Sequence, residues 1–166
     1  MTWKVGNPEL DINGPQHTLH NMPESWNGYT KEQKVQIILD VVEDQMRLVR
    51  NGSFVSHNSK EVAALALEGQ FCLTEFYADA EAAAKNAKHI AEYIESEEAT
   101  RISAQAIQDG EKRPSEAALK RKVLASDEVR EAKKRAVDLE KTHKKWRCVL
   151  DILKEAHVFF RRMTTD

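Results

Sequence analysis

The sequence predicts an all-α protein built on a long antiparallel helical hairpin, with an additional N-terminal helix and an irregular N-terminal arm. Two stretches of similar length, 59–109 and 115–163, carry apolar residues at helical spacing and contain no proline and a single glycine, Gly69. A short turn separates them, which is typical of an antiparallel helix pair. Charged residues make up 31% of the 166 residues, as expected for long helices with solvated outer faces.

Residues 1–29 form the predicted arm. This stretch holds three of the four prolines and three of the six glycines, which interrupt any periodic pattern. It also holds large apolar side chains that are costly to leave in water. We therefore expect a strap that packs on the helices or on a neighbouring subunit, with a flexible terminus as an equally good alternative. The apolar side chains concerned are Trp3, Ile12, Met22, Trp26 and Tyr29.

The first predicted helix covers about 31–50. Thr30 and Gln33 have the spacing of a capping box, and Gly52 follows the last periodic residue as a stop signal. The side chains between them recur at helical spacing on one apolar face: Val35, Ile38, Leu39, Val42, Met46 and Val49.

The second predicted helix covers about 59–109. Asn58 and Glu61 have capping-box spacing, with Ser59 as a competing cap. Two interleaved series of small and apolar residues recur every seven positions, and the small ones let a partner helix approach closely. The series are Val62, Gly69, Phe76, Ala83 and Ile90, and Ala66, Leu73, Ala80, Ala87 and Ile94.

The third predicted helix follows the turn 109–114, where Pro114 is well placed to begin a helix, and covers about 115–163. Ser126, Asp127 and Glu128 have the composition of an internal helix start, so we expect a break near Ser126. That break would leave Ala118, Leu119, Val123 and Leu124 on a short segment of their own. We predict a single helical domain over 30–166.

A seam of ten residues begins at Val129, with alternating steps of three and four that place all ten on one side of the helix. Such a seam requires a partner helix, from the same chain or from another. We predict that the chain forms a homo-oligomer through the later part of the seam. The predicted interface residues are Leu139, His143, Trp146, Leu150, Leu153, His157 and Phe160.

The sequence contains no catalytic signature. Phosphate-binding glycine loops, nucleophile elbows, HExxH and CxxC are absent, and His17 and His20 lack a second pair of ligands. We expect no enzyme activity, no cofactor and no metal. With no apolar run long enough for a membrane span and no signal-peptide core, the sequence predicts a cytoplasmic protein without membrane contact. Cys72 and Cys148 are expected to be reduced core residues.

Charge is distributed unevenly along the chain. Residues 110–166 hold 16 Lys and Arg against 10 Asp and Glu, whereas residues 1–109 hold 9 against 17. Five cations lie around the predicted turn, where their combined potential favours phosphate binding. No aromatic residue lies among them to stack bases, so binding would be directed to the nucleic-acid backbone. The alternative is a solvated tip that pairs with Glu111 and Glu116. The five are Lys112, Arg113, Lys120, Arg121 and Lys122.

The segment KRKVLASDEVREAKKRAVDLEKTHKKWRCVLDILKEAHVFFRRM resembles the carboxy-terminal half of phage recombination mediators of the UvsY type. The resemblance lies in a basic residue before Val123 and Leu124, a small residue before Ser126 and Asp127, an aromatic at Trp146 followed by aliphatic residues, and a late basic run. The alanine-rich helix before it, with Phe76 and Tyr77, is compatible with the family. The resemblance covers about residues 60–163, and residues 1–50 fall outside it.

The resemblance implies an all-helical protein that forms a ring through its carboxy-terminal helices and binds single-stranded DNA. It implies a non-enzymatic mediator that helps to load a RecA-like recombinase onto strands covered by single-strand binding protein. The family's DNA-contacting zone, late in the helix before the turn, matches Lys85, Lys88 and Arg101. This chain departs from the family there with an acidic patch of Glu92, Glu95, Glu97 and Glu98.

The predicted nucleic-acid-binding residues are therefore those three and the five tip cations. If the chain is phage-encoded, its cytoplasmic location is that of the host. The alternative function is a helical protein–protein interaction module, such as a phage adaptor, inhibitor or assembly component with a basic docking face. Such a module would dock its basic hairpin on an acidic partner protein.

Overall fold

The computed structural model describes residues 17–164, and these are all-α, as predicted, with no strand. The long helices are α1 (Lys31–Arg50), α2 (Ser59–Gln108), α3 (Glu116–Ala125) and α4 (Asp127–Arg162). Short 3-10 turns at Leu19–Asn21 and Ser56–Asn58 precede α1 and α2. The contacts group the chain into two compact units, and the single helical domain over 30–166 stays a prediction. One comprises the described residues of 1–75 and 148–166, and the other comprises Phe76–Arg147.

The ends of α1 follow from local chemistry. The Thr30 hydroxyl accepts a hydrogen bond from the Gln33 backbone N–H, and the Gln33 side chain accepts one from the Thr30 backbone, which is the predicted capping box. At the other end, Gly52 has φ of +69°, a conformation that glycine adopts without steric cost. Two backbone hydrogen bonds close the last turn, from Gly52 N–H to Val49 O and from Ser53 N–H to Leu48 O.

The first unit is a three-helix arrangement whose core centres on Gly69 of α2. A Cβ at Gly69 would lie 3.1 Å from a methyl carbon of Leu153 on α4 and 3.2 Å from one of Ile38 on α1. The expected role of a small residue, close approach of neighbouring helices, is therefore confirmed at this position. All three helices contribute fully buried side chains to this unit: Val35, Ile38, Val41, Val62, Leu73, Leu153 and Phe160.

Within this unit α2 and α4 run antiparallel. The Gln70 side chain donates to the Leu153 carbonyl at 3.3 Å, and the His157 ring nitrogen Nδ1 lies 2.9 Å from the Ala63 carbonyl. Because that carbonyl can only accept, His157 carries its proton on Nδ1 in this contact. The predicted seam on α4 thus packs on α2 of the same chain here.

The described part of the arm, residues 17–29, packs on α1. The His17 ring lies 2.9 Å from a carboxylate oxygen of Asp40, and the Lys34 ammonium lies 5.9 Å from the centre of the Trp26 ring. The part of the prediction that concerns Trp3 and Ile12 falls outside the described residues.

In the second unit, the later part of α2 runs antiparallel to the first part of α4. Phe76 stacks on Trp146 with ring centres 5.5 Å apart, and the ring centres of Tyr77 and His143 are 5.1 Å apart. Further along, an ion pair of 2.8 Å joins Lys133 on α4 to Glu95 on α2.

One part of the predicted α2 pattern is wrong. Ile90 is 47% exposed, whereas Ala87 and Ala91 are buried. A seven-residue repeat drifts by about 20° per heptad on a straight α-helix, so after four heptads a position once on the core side has turned towards solvent. The core side is then taken over by neighbouring alanines.

Helices α3 and α4 are separated at Ser126, where the sequence predicts a break. Ser126 leaves the helical region with φ of −63° and ψ of 131°. Its N–H donates to the Val123 carbonyl as the last bond of α3, and its own carbonyl accepts the Arg130 N–H as the first bond of α4.

Both cysteines are free thiols, but only one has the predicted surroundings. Cys72 is half-buried, and burial raises the pKa of its thiol. Cys148 is exposed, so its expected core position is wrong. It lies two residues from Trp146 on a different side of α4, away from the seam.

Candidate nucleic-acid interface

The candidate interface is the tip of the second unit, where α2 gives way to α3. Gly110, with φ of +72°, ends α2 through bonds from its N–H to Ile107 O and from the Glu111 N–H to Ala106 O. Ser115 then caps α3: its hydroxyl accepts from the Ala118 N–H at 3.3 Å. The structure therefore begins α3 at Glu116, with Pro114 just outside the helix.

The cations of α3 are arranged around an exposed leucine. Lys120 and Arg121 precede Leu124 by four and three residues, so all three share one side of the helix. Leu124 is 40% exposed, whereas Val123, one position earlier and 100° away around the helix, is buried. Lys122 is 100° further round from Arg121, so the three consecutive cations span about 200° of the helix surface. A flexible single strand can bend around such a curved cationic surface.

All five tip cations are exposed, and none of them forms an ion pair with any residue in the described range 17–164. The tip is solvated, as the alternative from the sequence predicts, but among the described residues it lacks the ion pairs to Glu111 and Glu116 that this alternative also predicts. Residues 111–122 hold five cations and two carboxylates, a local charge of +3. The tip presents cationic groups that are free to contact an anion.

The three candidate cations on α2 have different surroundings, because each faces a carboxylate of its own helix. Lys85 lies 2.7 Å from Glu81, Lys88 lies 4.0 Å from Glu92, and Arg101 makes two hydrogen bonds of 2.7 Å to Glu98. The hydrogen bond that Lys85 donates to Glu81 raises the pKa of Lys85, and the hydrogen bonds that Arg101 donates to Glu98 raise the pKa of Arg101. A neighbouring carboxylate therefore offsets the positive charge of each of these three side chains.

Pairing of this kind does not lock a side chain in place, since exposed ion pairs contribute at most about 1 kcal/mol. It matters because the carboxylate remains next to any phosphate that displaces it. A strand lying along these three residues would meet Glu81, Glu92 and Glu98 at close range. Of the eight predicted residues, only the five at the tip present unopposed positive charge.

The region around Arg101 is an acidic cleft at the junction of α2 with α4. Glu98 is buried at 9% exposure and holds Arg101, and a hydrogen bond from the Ser126 hydroxyl adds to the effect of Arg101 in lowering the pKa of Glu98. The cleft measures about 490 Å³ and includes Glu97 and Glu128 in its lining. Three carboxylates against one guanidinium disfavour a phosphate ligand. Among residues 17–164, no cluster of His, Cys, Asp and Glu is suited to hold a metal ion.

The seven predicted interface residues of α4 all pack within the chain. In the second unit, Leu139, His143 and Trp146 are half-buried; in the first unit, Leu150 and His157 are half-buried. Leu153 and Phe160 have 0% exposure and thus no surface left for a second chain. Helix α2 of the same chain packs on the seam of α4, so a second chain is not needed to cover it. That the seam also joins two chains stays a prediction.

Some of these features had a signal in the sequence. The spacing of Glu81 with Lys85 and of Lys88 with Glu92 is four residues, which predicts ion pairs on a helix. The exposure of Leu124 and of Ile107, which is 65% exposed next to the turn, had no such signal, because both residues fit an apolar helix face. Only the position of α3 on its neighbours decides which side is covered.

No family model, curated protein or solved structure matches the chain. Within residues 17–164, no helix has both the length and the apolar character needed to cross a bilayer.

Proposed function

We propose that the chain is a non-enzymatic mediator of DNA recombination that binds single-stranded DNA through the tip between α2 and α3. In this role it helps to load a RecA-like recombinase onto strands covered by single-strand binding protein. The observation that carries the proposal is the group of five exposed tip cations without ion-pair partners. The resemblance of residues 60–163 to mediators of the UvsY type supports the same role.

The tip has the chemistry of backbone-directed binding. Lysine and arginine neutralise phosphates and release counterions, which gives an affinity that falls steeply with salt. No aromatic side chain lies between Lys112 and Lys122, so bases are not stacked and sequence is not read. Such binding suits a mediator that must act on any strand.

Each tip by itself offers few phosphate contacts. In a homo-oligomer several tips would engage one strand, and the second and later contacts would benefit from a high effective concentration. Several weak sites would then bind the strand jointly, while each single phosphate contact could still dissociate and re-form. A recombinase could displace the contacts one at a time.

A second function, an interaction module that docks on an acidic protein, is favoured by one observation. Ile107 and Leu124 are 65% and 40% exposed at the tip, and a phosphate backbone makes little use of apolar side chains. Protein interfaces commonly combine such side chains with arginine.

Fluorescent oligo-dT binding across a salt series, with mass photometry on the same sample, tests the first function. We expect an oligomer whose affinity falls steeply with salt. The variant in which Lys120, Arg121 and Lys122 are changed to Ala should lose the salt-sensitive binding and keep the oligomer. Wild-type protein that ignores oligo-dT at low salt would contradict DNA binding and leave the acidic-protein function.

A further inference from the structure

The outer side of α2 in the first unit carries an apolar stripe that no described residue covers. Ala64, Leu67, Phe71 and Thr74 are spaced by three, four and three residues, which places them on one side of the helix. All four are exposed, and Phe71 is 73% exposed and Leu67 37%. Two carboxylates of α2, Glu68 and Glu75, lie three residues before and four residues after Phe71 and border the stripe on the α1 side.

The fold does not account for Phe71. On the core side of the same helix, Gly69 lies against Ile38 of α1 and Leu153 of α4, and Leu73 is fully buried. Phenylalanine has a lower helix propensity than the alanines nearby, so α2 gains nothing from it as an isolated helix. An exposed aromatic at the centre of an uncharged helical stripe is typical of a protein-binding surface.

One edge of the stripe is basic. The contacts of Gln70 with Leu153 and of Ala63 with His157 place α4 along this edge. Lys154 follows Leu153 directly, and Arg161 is seven residues further on, so both lie on the same side of α4. Both are exposed, and neither forms an ion pair with a residue in the described part of the chain.

The other edge, towards α1, carries charges of both signs. There Lys31 pairs with Glu75, and the charges of Lys34 and Glu68 both act on the neighbouring Cys72. The stripe is therefore bordered asymmetrically, by two unpaired cations on the α4 side and by a balanced set of cations and carboxylates on the α1 side.

We propose that this surface binds an amphipathic helix of a partner protein, with an apolar face on Leu67 and Phe71 and an acidic edge over Lys154 and Arg161. A helix fits because a straight apolar stripe along α2 matches the apolar face of a second helix that packs lengthwise against it. Charge complementarity places the acidic edge of the partner helix on the α4 side of the stripe, over Lys154 and Arg161.

A second copy of the chain fits this surface less well. An antiparallel pairing of two α2 helices about Phe71 would place Thr74 of one copy opposite Glu68 of the other and so bring Glu68 and Glu75 of the two copies close together, twice by symmetry. Like charges directly across an interface oppose association. The surface also lies in the first unit, so it is independent of the cationic tip and goes beyond the DNA-binding proposal.

The test uses the full-length protein and two designed stapled helices about five turns long. Both peptides carry leucines at the same i, i+3 and i+7 positions; one has glutamates along one edge and the other has lysines there. Fluorescence anisotropy should show binding of the glutamate peptide in preference to the lysine peptide. Phe71→Glu should weaken it at least about tenfold, and Lys154→Ala with Arg161→Ala should reduce its salt dependence.

Ile152→Glu is the matched control, because Ile152 is an exposed apolar residue of α4 in the same unit, 45% exposed. It should leave peptide affinity unchanged, and circular dichroism should show that both variants are folded. Equal binding of both peptides, or equal losses in Phe71→Glu and Ile152→Glu, would overturn the proposal. So would a dimer in sedimentation that Phe71→Glu abolishes, since the occupant would then be a second copy.

Discussion

The two units of the protein bury their side chains to different extents. The large side chains that are completely buried come almost entirely from the first unit, and they include Ile38, Leu73, Leu153 and Phe160. Among the largest of these side chains, the second unit, Phe76–Arg147, contributes Val129. That second unit holds 16 Lys and Arg and 14 Asp and Glu and packs largely through alanines and half-buried rings. The first unit therefore supplies most of the hydrophobic stabilisation, and the second presents charge.

The largest effect is expected in the first unit, from truncating its most deeply buried ring. Phe160→Ala removes a fully buried side chain that contacts Phe54 and should lower the free energy of unfolding by about 3–5 kcal/mol. Urea denaturation followed by circular dichroism measures it.

Phe159→Ala is the matched control for this change, because it is the same substitution one residue earlier in α4. Phe159 is 36% exposed and meets Phe160 edge to face, so its loss should cost about 1 kcal/mol. Equal losses at both positions would contradict the division into a stabilising core and a more exposed surface.

An intermediate effect is expected at Gly69, where three helices meet. Gly69→Val adds methyl groups where even a Cβ is within 3.1–3.3 Å of Leu153 and Ile38, and should cost about 1–3 kcal/mol through overpacking. Gly69→Ala should be close to neutral, since the gain of about 1 kcal/mol in helix propensity offsets the crowding. A stable Gly69→Val protein by thermal denaturation would show that the helices are further apart than described.

The smallest effect is expected in the second unit, at Glu98. The hydrogen bonds from Arg101 lower the pKa of Glu98, so the folded state stabilises its charged form. The stability that this adds is present near neutral pH and is lost as the pH falls through the ordinary glutamate range and below the lowered pKa.

The difference in Tm between the wild type and Glu98→Gln should therefore shrink from pH 7 to pH 3. Glu116→Gln serves as the control, since Glu116 is exposed and forms no ion pair with the residues at 17–164. A difference that stays constant over this pH range would show that Glu98 contributes through packing alone.

The sequence predicted those features that depend on a few neighbouring residues. The capping box at Thr30, the glycine stop at Gly52, the turn over 109–114 and the break at Ser126 all arise from local backbone chemistry. The small residue at Gly69 also had a recognisable place within a heptad series.

Features that depend on tertiary placement could not be obtained in this way. A heptad seam requires a partner helix but does not say whether the same chain provides it, and Leu153 and Phe160 are satisfied by their own chain. The exposure of Ile90 depends on accumulated helix drift, and that of Phe71 depends on which sides of α2 are covered by α1 and α4. At the candidate interface, the tip cluster is visible in the sequence, whereas the burial of Glu98, which neutralises Arg101, depends on how α2 packs and has no local signal.

The central claim is that unpaired cations at the tip, and not the paired cations of α2, contact DNA. Two triple variants that remove equal charge test it directly: Lys120, Arg121 and Lys122 to Ala, and Lys85, Lys88 and Arg101 to Ala. The measurement is the slope of log affinity for oligo-dT against log salt concentration. We predict that the tip variant flattens the slope by about 2 units for each tip that engages the strand and the α2 variant leaves it nearly unchanged. An equal or larger change in the α2 variant would contradict the claim.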